Sequence, residues 1–117
     1  LIKYRVLVEV EYFIALVESG IEPLKSFPKN SFSALRELYI NFSEKDANWI
    51  KDTEKVTNHD VKAVEYFLKE KLTELGMTEY LEFVHFGLTS EDINNLTYNL
   101  LIKDFLDIFH SAYVFDY

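Results

Sequence analysis

The stretch Thr57-Asn58-His59-Asp60-Val61-Lys62-Ala63-Val64-Glu65-Tyr66-Phe67-Leu68-Lys69-Glu70-Lys71-Leu72 carries the clearest periodicity in the chain. Val61, Val64, Phe67 or Leu68, Leu72 and Leu75 recur every three or four residues, the spacing of a helix with one buried face. Thr57 and Asp60 stand at capping-box spacing, so the helix is predicted to start at Thr57 or Asn58. Glu65 supports the helix four residues before Lys69, whereas Glu70 and Glu74 repel each other at the same spacing. Gly76 is the expected stop.

Working backwards, Ser43-Glu44-Lys45-Asp46 has capping-box spacing and opens a short helix through Trp49 and Ile50 to about Lys55. Phe32, Leu35, Leu38, Tyr39 and Phe42 predict a helix over about 31–42. Pro23, Pro28 and Asn30 mark residues 21–30 as a loop. Residues 1–19 place Leu7, Val10, Ile14 and Val17 at helical spacing, with Glu9, Glu11 and Glu18 between them. Val6-Val8-Val10 also alternates like a strand, but the continuous apolar run Ile14 to Val17 breaks a period of two and favours a helix ending at Gly20 and Pro23. Working forwards, residues 79–86 are a short apolar segment, and a last helix is predicted from about Ser90 to Phe109 with Ile93, Leu96, Leu100, Phe105 and Phe109 on one face. The expected fold is all-α, about five helices in a single domain over 1–117.

The composition bounds the function. Of 117 residues, 49% are hydrophobic and 16% aromatic, with ten Phe and eight Tyr, as in a folded domain rather than a disordered tail. Part of that apolar surface is available for a neighbouring domain or subunit. The net charge of −8 argues against a nucleic-acid or anionic-membrane binder, which needs a basic patch. It leaves room for a small anionic ligand, whose strong cationic contacts would have to come from elsewhere, since Arg5 and Arg36 are the only arginines and lie far from the polar motifs in sequence. The absence of cysteine excludes disulfides and thiol chemistry and fits a reducing compartment, so a cytoplasmic location is expected. No secretory signal or membrane-length apolar run is present. Leu1 opens within an apolar-periodic stretch without an initiator Met, which reads as a cut into a longer polypeptide.

Two segments put polar residues at predicted helix starts: Asn58-His59-Asp60 and Thr89-Ser90. Such starts offer unpaired backbone N–H groups and partial positive charge, which suits carboxylates or phosphate. His59 is the leading candidate for proton or charge chemistry, set between Asn58 and Asp60, which can hold side chains in place. The alternative for His59 is a helix cap alone. Thr89 and Ser90 offer two hydroxyls as a carboxylate cradle, or an N-cap with Asp92 as its partner. His85, among Phe83, Val84 and Phe86, reads as a hydrogen-bonded core residue. His110 sits near a helix C-terminus and receives no role. The three histidines lack metal-site spacing, and three glycines supply no phosphate loop.

Longer segments carry a family resemblance. Leu1-Ile2-Lys3-Tyr4-Arg5-Val6 with Val8-Glu9-Val10-Glu11, then Phe42-Ser43-Glu44-Lys45-Asp46-Ala47, then Thr57 to Lys71, then Glu82-Phe83-Val84-His85-Phe86 through Thr89-Ser90-Glu91-Asp92-Ile93-Asn94-Asn95-Leu96, resemble the bacterial-type adenylosuccinate lyase family over about residues 1–105. The resemblance implies the helical, homotetrameric fumarase/aspartase superfamily, and most of its N-terminal domain, with the central helical bundle and C-terminal domain absent. It implies β-elimination of fumarate from adenylosuccinate to give AMP, and from a succinyl-carboxamide ribonucleotide, in purine synthesis, without metal or organic cofactor.

Carried over by position, the resemblance assigns Asn58, His59 and Asp60 to the nucleotide, with His59 orienting the substrate or stabilising charge. It assigns Thr89 and Ser90 to the succinyl or fumarate carboxylates. The family's acid, a histidine in a later Thr-His-Gly segment, and its base, a serine in a Ser-Ser-x-Met-Pro-x-Lys loop, do not occur here. Nor does an Arg-Tyr phosphate contact upstream of Leu1. The chain alone is therefore expected to be inactive. Residues His110 to Tyr117 leave the family pattern. Two alternatives remain: another fumarate-releasing lyase such as argininosuccinate lyase, or a truncated, non-catalytic helical module acting by association.

Overall fold

A computed structural model describes residues 2–88, 93, 96–104 and 107, and every described regular element is helical. The elements are α1 (Ile2–Glu18), α2 (Phe32–Ile40), α3 (Glu44–Thr57), α4 (Asp60–Glu74) and a helical run over 96–104, here α5. Short 3-10 turns occupy Glu22–Leu24 and Lys29–Ser31 within the expected loop, and Thr78–Phe83 forms a longer one. The all-α reading holds, and α1 is a helix rather than a strand. Phe105, Phe109 and the predicted start of the last helix lie outside the described residues.

α1 is the hub. Val6, Val10, Phe13, Ile14 and Val17 enter the main core with Leu24, Phe27, Leu35, Ile50, Val64, Phe67 and Leu72, so α1 packs on both α2 and α4. α3 lies along α4, where Trp49 and Phe42 meet the Phe67 ring edge-on. Burial of these side chains is worth about 1.5–3 kcal/mol each. A smaller cluster of Val8, Val61 and Ile93, backed by Leu88 and Leu100, joins α1, the first turn of α4 and α5. It adjoins the α3–α4 turn, because Val61 directly follows Asp60.

Local chemistry sets the element ends. Ser43 and Asp46 form the reciprocal capping box expected for α3, with Ser43 Oγ accepting from the Asp46 N–H at 3.2 Å and the Asp46 carboxylate accepting from the Ser43 N–H at 3.2 Å. At the other end α3 runs two residues past the predicted Lys55, to Thr57. α4 closes on Gly76, whose φ of +77° lets the Met77 N–H reach the Leu72 carbonyl at 2.8 Å.

Three expectations are corrected. Thr57 does not cap α4: it is the last residue of α3, and His59 is the α4 N-cap. Leu75 and Leu96, assigned to buried faces, are 42% and 47% exposed, because α4 turns into its Gly76 stop and α5 shows Leu96 to solvent. Glu9, assigned to the spaces between apolar residues of α1, is 1% exposed. A charged residue is that deep only when the fold supplies a partner.

Candidate functional site

The α3–α4 turn presents three consecutive candidate residues. Asn58 ends α3 in the left-handed conformation at φ +59°, and its N–H reaches the Glu54 carbonyl at 2.7 Å. Asparagine tolerates that conformation better than most residues, so Asn58 has a structural role as well as a candidate binding one. His59 follows in extended backbone, and its Nδ1 accepts the Lys62 N–H at 3.2 Å. That bond places the neutral ring's proton on Nε2. The His59 side chain is 48% exposed and its Nδ1 lies 3.8 Å from Asp60 Oδ1. Thr57 Oγ1 pins the turn by donating to the His59 carbonyl at 3.1 Å and accepting its N–H at 3.3 Å.

Asp60 looks inward. Its Oδ1 accepts the Val61 N–H at 2.8 Å, and its Oδ2 pairs with Arg5 Nη2 at 3.0 Å. Arg5 is 8% exposed, so α1 delivers a buried guanidinium to the turn from 55 positions away in sequence. The turn is fringed by further cations. Open depressions of about 400 and 540 Å³ beside it are lined by Lys51, Lys55 and Asn58, and by Lys3, Arg5 and Lys51, each with Glu54. Arg5 is distant from the motif in sequence and adjacent to it in space. A deeper cleft of about 400 Å³, lined by Lys45, Trp49, Phe67, Lys71 and Glu74, lies elsewhere between α3 and α4 and holds none of the candidate residues.

A second turn, just before Thr89-Ser90 in sequence, meets α1 at His85. Its Nδ1 lies 2.5 Å from Glu9 Oε1, which bears out the reading of His85 as a hydrogen-bonded residue, though its side chain is 16% exposed. His85 has a φ of +63°, an uncommon conformation in which histidine is nonetheless enriched. One residue on, the Phe86 carbonyl accepts the Tyr12 hydroxyl at 2.8 Å. Gly87 also has positive φ, and a Cβ there would meet the Tyr12 hydroxyl at 3.6 Å. Burial pushes the Glu9 carboxyl up from its ordinary 4.5, the His85 hydrogen bond opposes that rise, and nearby Glu65 adds to it. Thr89 and Ser90 lie outside the described residues. Among the described residues no group of three His, Asp or Glu side chains has the arrangement of a metal site. No helix there is long and apolar enough to cross a membrane.

A family profile described as "Lyase" matches residues 3–112. The chain belongs to this lyase family. It is 55% identical over 108 residues to an adenylosuccinate lyase of Dictyostelium discoideum, covering 89% of this chain and 23% of that protein. It is 47% identical over 105 residues to the adenylosuccinate lyase of Escherichia coli strain K12, covering 88% and 23%. It is 44% identical over 108 residues to that of Buchnera aphidicola from Schizaphis graminum, covering 91% and 24%. The chain thus spans about a quarter of the length of the curated relatives it matches. The resemblance stated from the motifs holds, and the all-α domain is of the fumarase/aspartase type.

Within this lyase domain, sequence reasoning missed Arg5 and Glu9. One signal was available. Both are charged, four residues apart, and flanked by Val6, Val8 and Val10, so a helix built around them must bury at least one. Their partners, Asp60 and His85, carried no such signal.

Proposed function

We propose that this chain is the N-terminal, substrate-gripping part of an adenylosuccinate lyase, which releases fumarate from adenylosuccinate to leave AMP, and likewise from the succinyl-carboxamide ribonucleotide. The observation that carries the reading is the α3–α4 turn, where Asn58, His59 and Asp60 follow one another at the mouth of a helix, His59 half exposed and Asp60 braced by Arg5. The names of the relatives, at 44–55% identity, support the substrate class.

In this reading Asn58, His59 and Asp60 contact the nucleotide portion, and His59 orients it through an Nε2 proton donor. Thr89 and Ser90 hold the succinyl carboxylates. Abstraction of the β-proton builds negative charge onto the neighbouring carboxylate, and fixed donors aimed there lower the barrier. The proton-abstracting base and the acid for the departing nitrogen come from segments beyond this sequence, so the 117-residue chain alone is inactive. The parent enzyme is a cytoplasmic homotetramer. Leu96, Tyr98 and Ile102, each about half exposed on α5, leave apolar surface for that association.

Fumarate release by the polypeptide at its natural length tests the reading, with adenylosuccinate beside argininosuccinate. Release from adenylosuccinate alone is expected. Release from argininosuccinate alone would move the chain to the sister enzyme, and release from neither would leave the association module. Turnover by the 117-residue chain alone would contradict the assignment of acid and base to other segments.

A further inference from the structure

Three polar residues form a ladder on one face of α1. Arg5, Glu9 and Tyr12 fall at i, i+4 and i+7, so their side chains rise one above another. Each reaches one of the two candidate regions: Arg5 pairs with Asp60 at 3.0 Å, Glu9 meets His85 Nδ1 at 2.5 Å, and Tyr12 donates to the Phe86 carbonyl at 2.8 Å. Arg5 and Glu9 are 8% and 1% exposed on a helix whose other buried residues are all apolar.

Core stability does not account for this ladder. Buried ion pairs are commonly matched or bettered by apolar side chains of similar volume. Glu9 is a poor stabiliser even by that standard, because its second oxygen, Oε2, is buried with no hydrogen-bond partner among the described residues. Glu65, itself 6% exposed, is near enough to oppose the Glu9 charge, although Lys69 at 3.0 Å and Lys62 at 3.5 Å hold it. His85 is kept in the left-handed region by what surrounds it, the signature of a position over-determined by its neighbours.

We propose that Arg5 and Glu9 are positioning residues: from adjacent turns of α1 they hold Asp60 and His85, and so set the spacing between the α3–α4 turn and the His85 turn, which precedes Thr89-Ser90 in sequence. The proposal rests on the reading that both regions grip one substrate. Glu9 acts on the ring as well as on the backbone. As acceptor for Nδ1–H it assigns the ring proton to Nδ1 and leaves Nε2 with its lone pair. The two histidines are thus held in opposite tautomers, His59 protonated on Nε2 and His85 on Nδ1.

Nitrogen-15 spectra of the histidine rings in the 117-residue chain, with the imidazoles neutral, test the tautomer without reference to any reaction. Wild type and Glu9→Gln, which keeps an oxygen acceptor, should show His85 protonated on Nδ1. Glu9→Leu should move the proton towards Nε2, and Arg5→Met should shift the His59 ring signals. A wild-type His85 protonated only on Nε2 would overturn the proposal without any variant. So would a folded Glu9→Leu chain with an unchanged ring spectrum.

The spacing is tested at natural length. Arg5→Met and Glu9→Leu should lower kcat/KM for fumarate release roughly 10- to 100-fold, as small misplacements do, with Glu9→Gln restoring most of the loss. Folded variants with wild-type kcat/KM would refute the spacing claim. A polypeptide that releases fumarate from no substrate would sink the lyase reading, and the ring spectra would still decide whether Glu9 sets the His85 tautomer.

Discussion

The two ends of the candidate site are built in opposite ways. The α3–α4 turn assembles itself from neighbours: Thr57 pins His59, His59 caps α4 through Lys62, and Asn58 closes α3, all within a few residues. The His85 turn depends on distant partners, with Glu9 and Tyr12 reaching it across 76 and 74 positions. A locally built turn keeps its shape when the core is disturbed. A turn held from afar does not. Variants that damage the scaffold common to both regions should therefore differ in effect from variants that damage one region only.

The largest effect is expected where the regions share a foundation. Ile93 is 0% exposed in the small cluster with Val8 and Val61. Ile93→Ala should cost about 2–5 kcal/mol in denaturant unfolding, through lost burial and the cavity left behind. A cost under about 1 kcal/mol would mean that this cluster does not join the two regions.

Asp60→Ala tests a long-range tie of the α3–α4 turn. Removing the carboxylate that faces buried Arg5 should cost about 1.5–3 kcal/mol, the range for hydrogen bonds to charged groups. Unchanged stability would show that Arg5 is satisfied without Asp60.

The regions also differ in pH response. The Glu9 carboxyl is raised by burial above its ordinary 4.5, so its contribution to stability is full below 4.5 and is lost as pH rises through the raised value. Glu11, on the opposite side of α1, is also pushed up by burial, but Arg36 at 3.0 Å and the Tyr39 hydroxyl at 2.7 Å outweigh that and leave it lowered. Its contribution is full above 4.5 and is lost as pH falls through the lowered value. On acidification from neutral to 4.5, wild type should therefore gain stability relative to Glu9→Leu. Unfolding curves taken across that range check the sign, and the opposite slope would place Glu9 with Glu11.

The smallest effect is expected at Asn58. Its φ of +59° suits glycine, so Asn58→Gly should change stability by less than about 1 kcal/mol. Fumarate release should still fall, because the carboxamide is gone. Full activity in a folded Asn58→Gly protein would reduce Asn58 to a helix cap.

What the sequence disclosed follows the same division. The Ser43–Asp46 box, the apolar face from Val61 to Leu72 and the Gly76 stop rest on local rules and were legible. The turn was legible too, although its cap was assigned to Thr57: capping-box spacing favoured a threonine, and an imidazole took the position because α3 runs through Thr57. Glu9 was misread because its valine flanks signal burial but name no partner for the buried charge. That partner, His85, lies in an irregular turn no periodicity describes. The Arg5–Asp60 pair was hidden for the same reason.

The central claim, that the α3–α4 turn grips a substrate whose cleavage yields fumarate, is tested most directly at His59. Fumarate release from adenylosuccinate by the natural-length polypeptide would be compared with His59→Ala and His59→Asn, the second of which keeps an N-capping side chain. The account predicts that kcat falls roughly 100- to 1,000-fold in both, as when a fixed donor is lost, while α4 remains intact in the asparagine variant. Wild-type turnover in His59→Asn would show that His59 only caps the helix and would contradict the account.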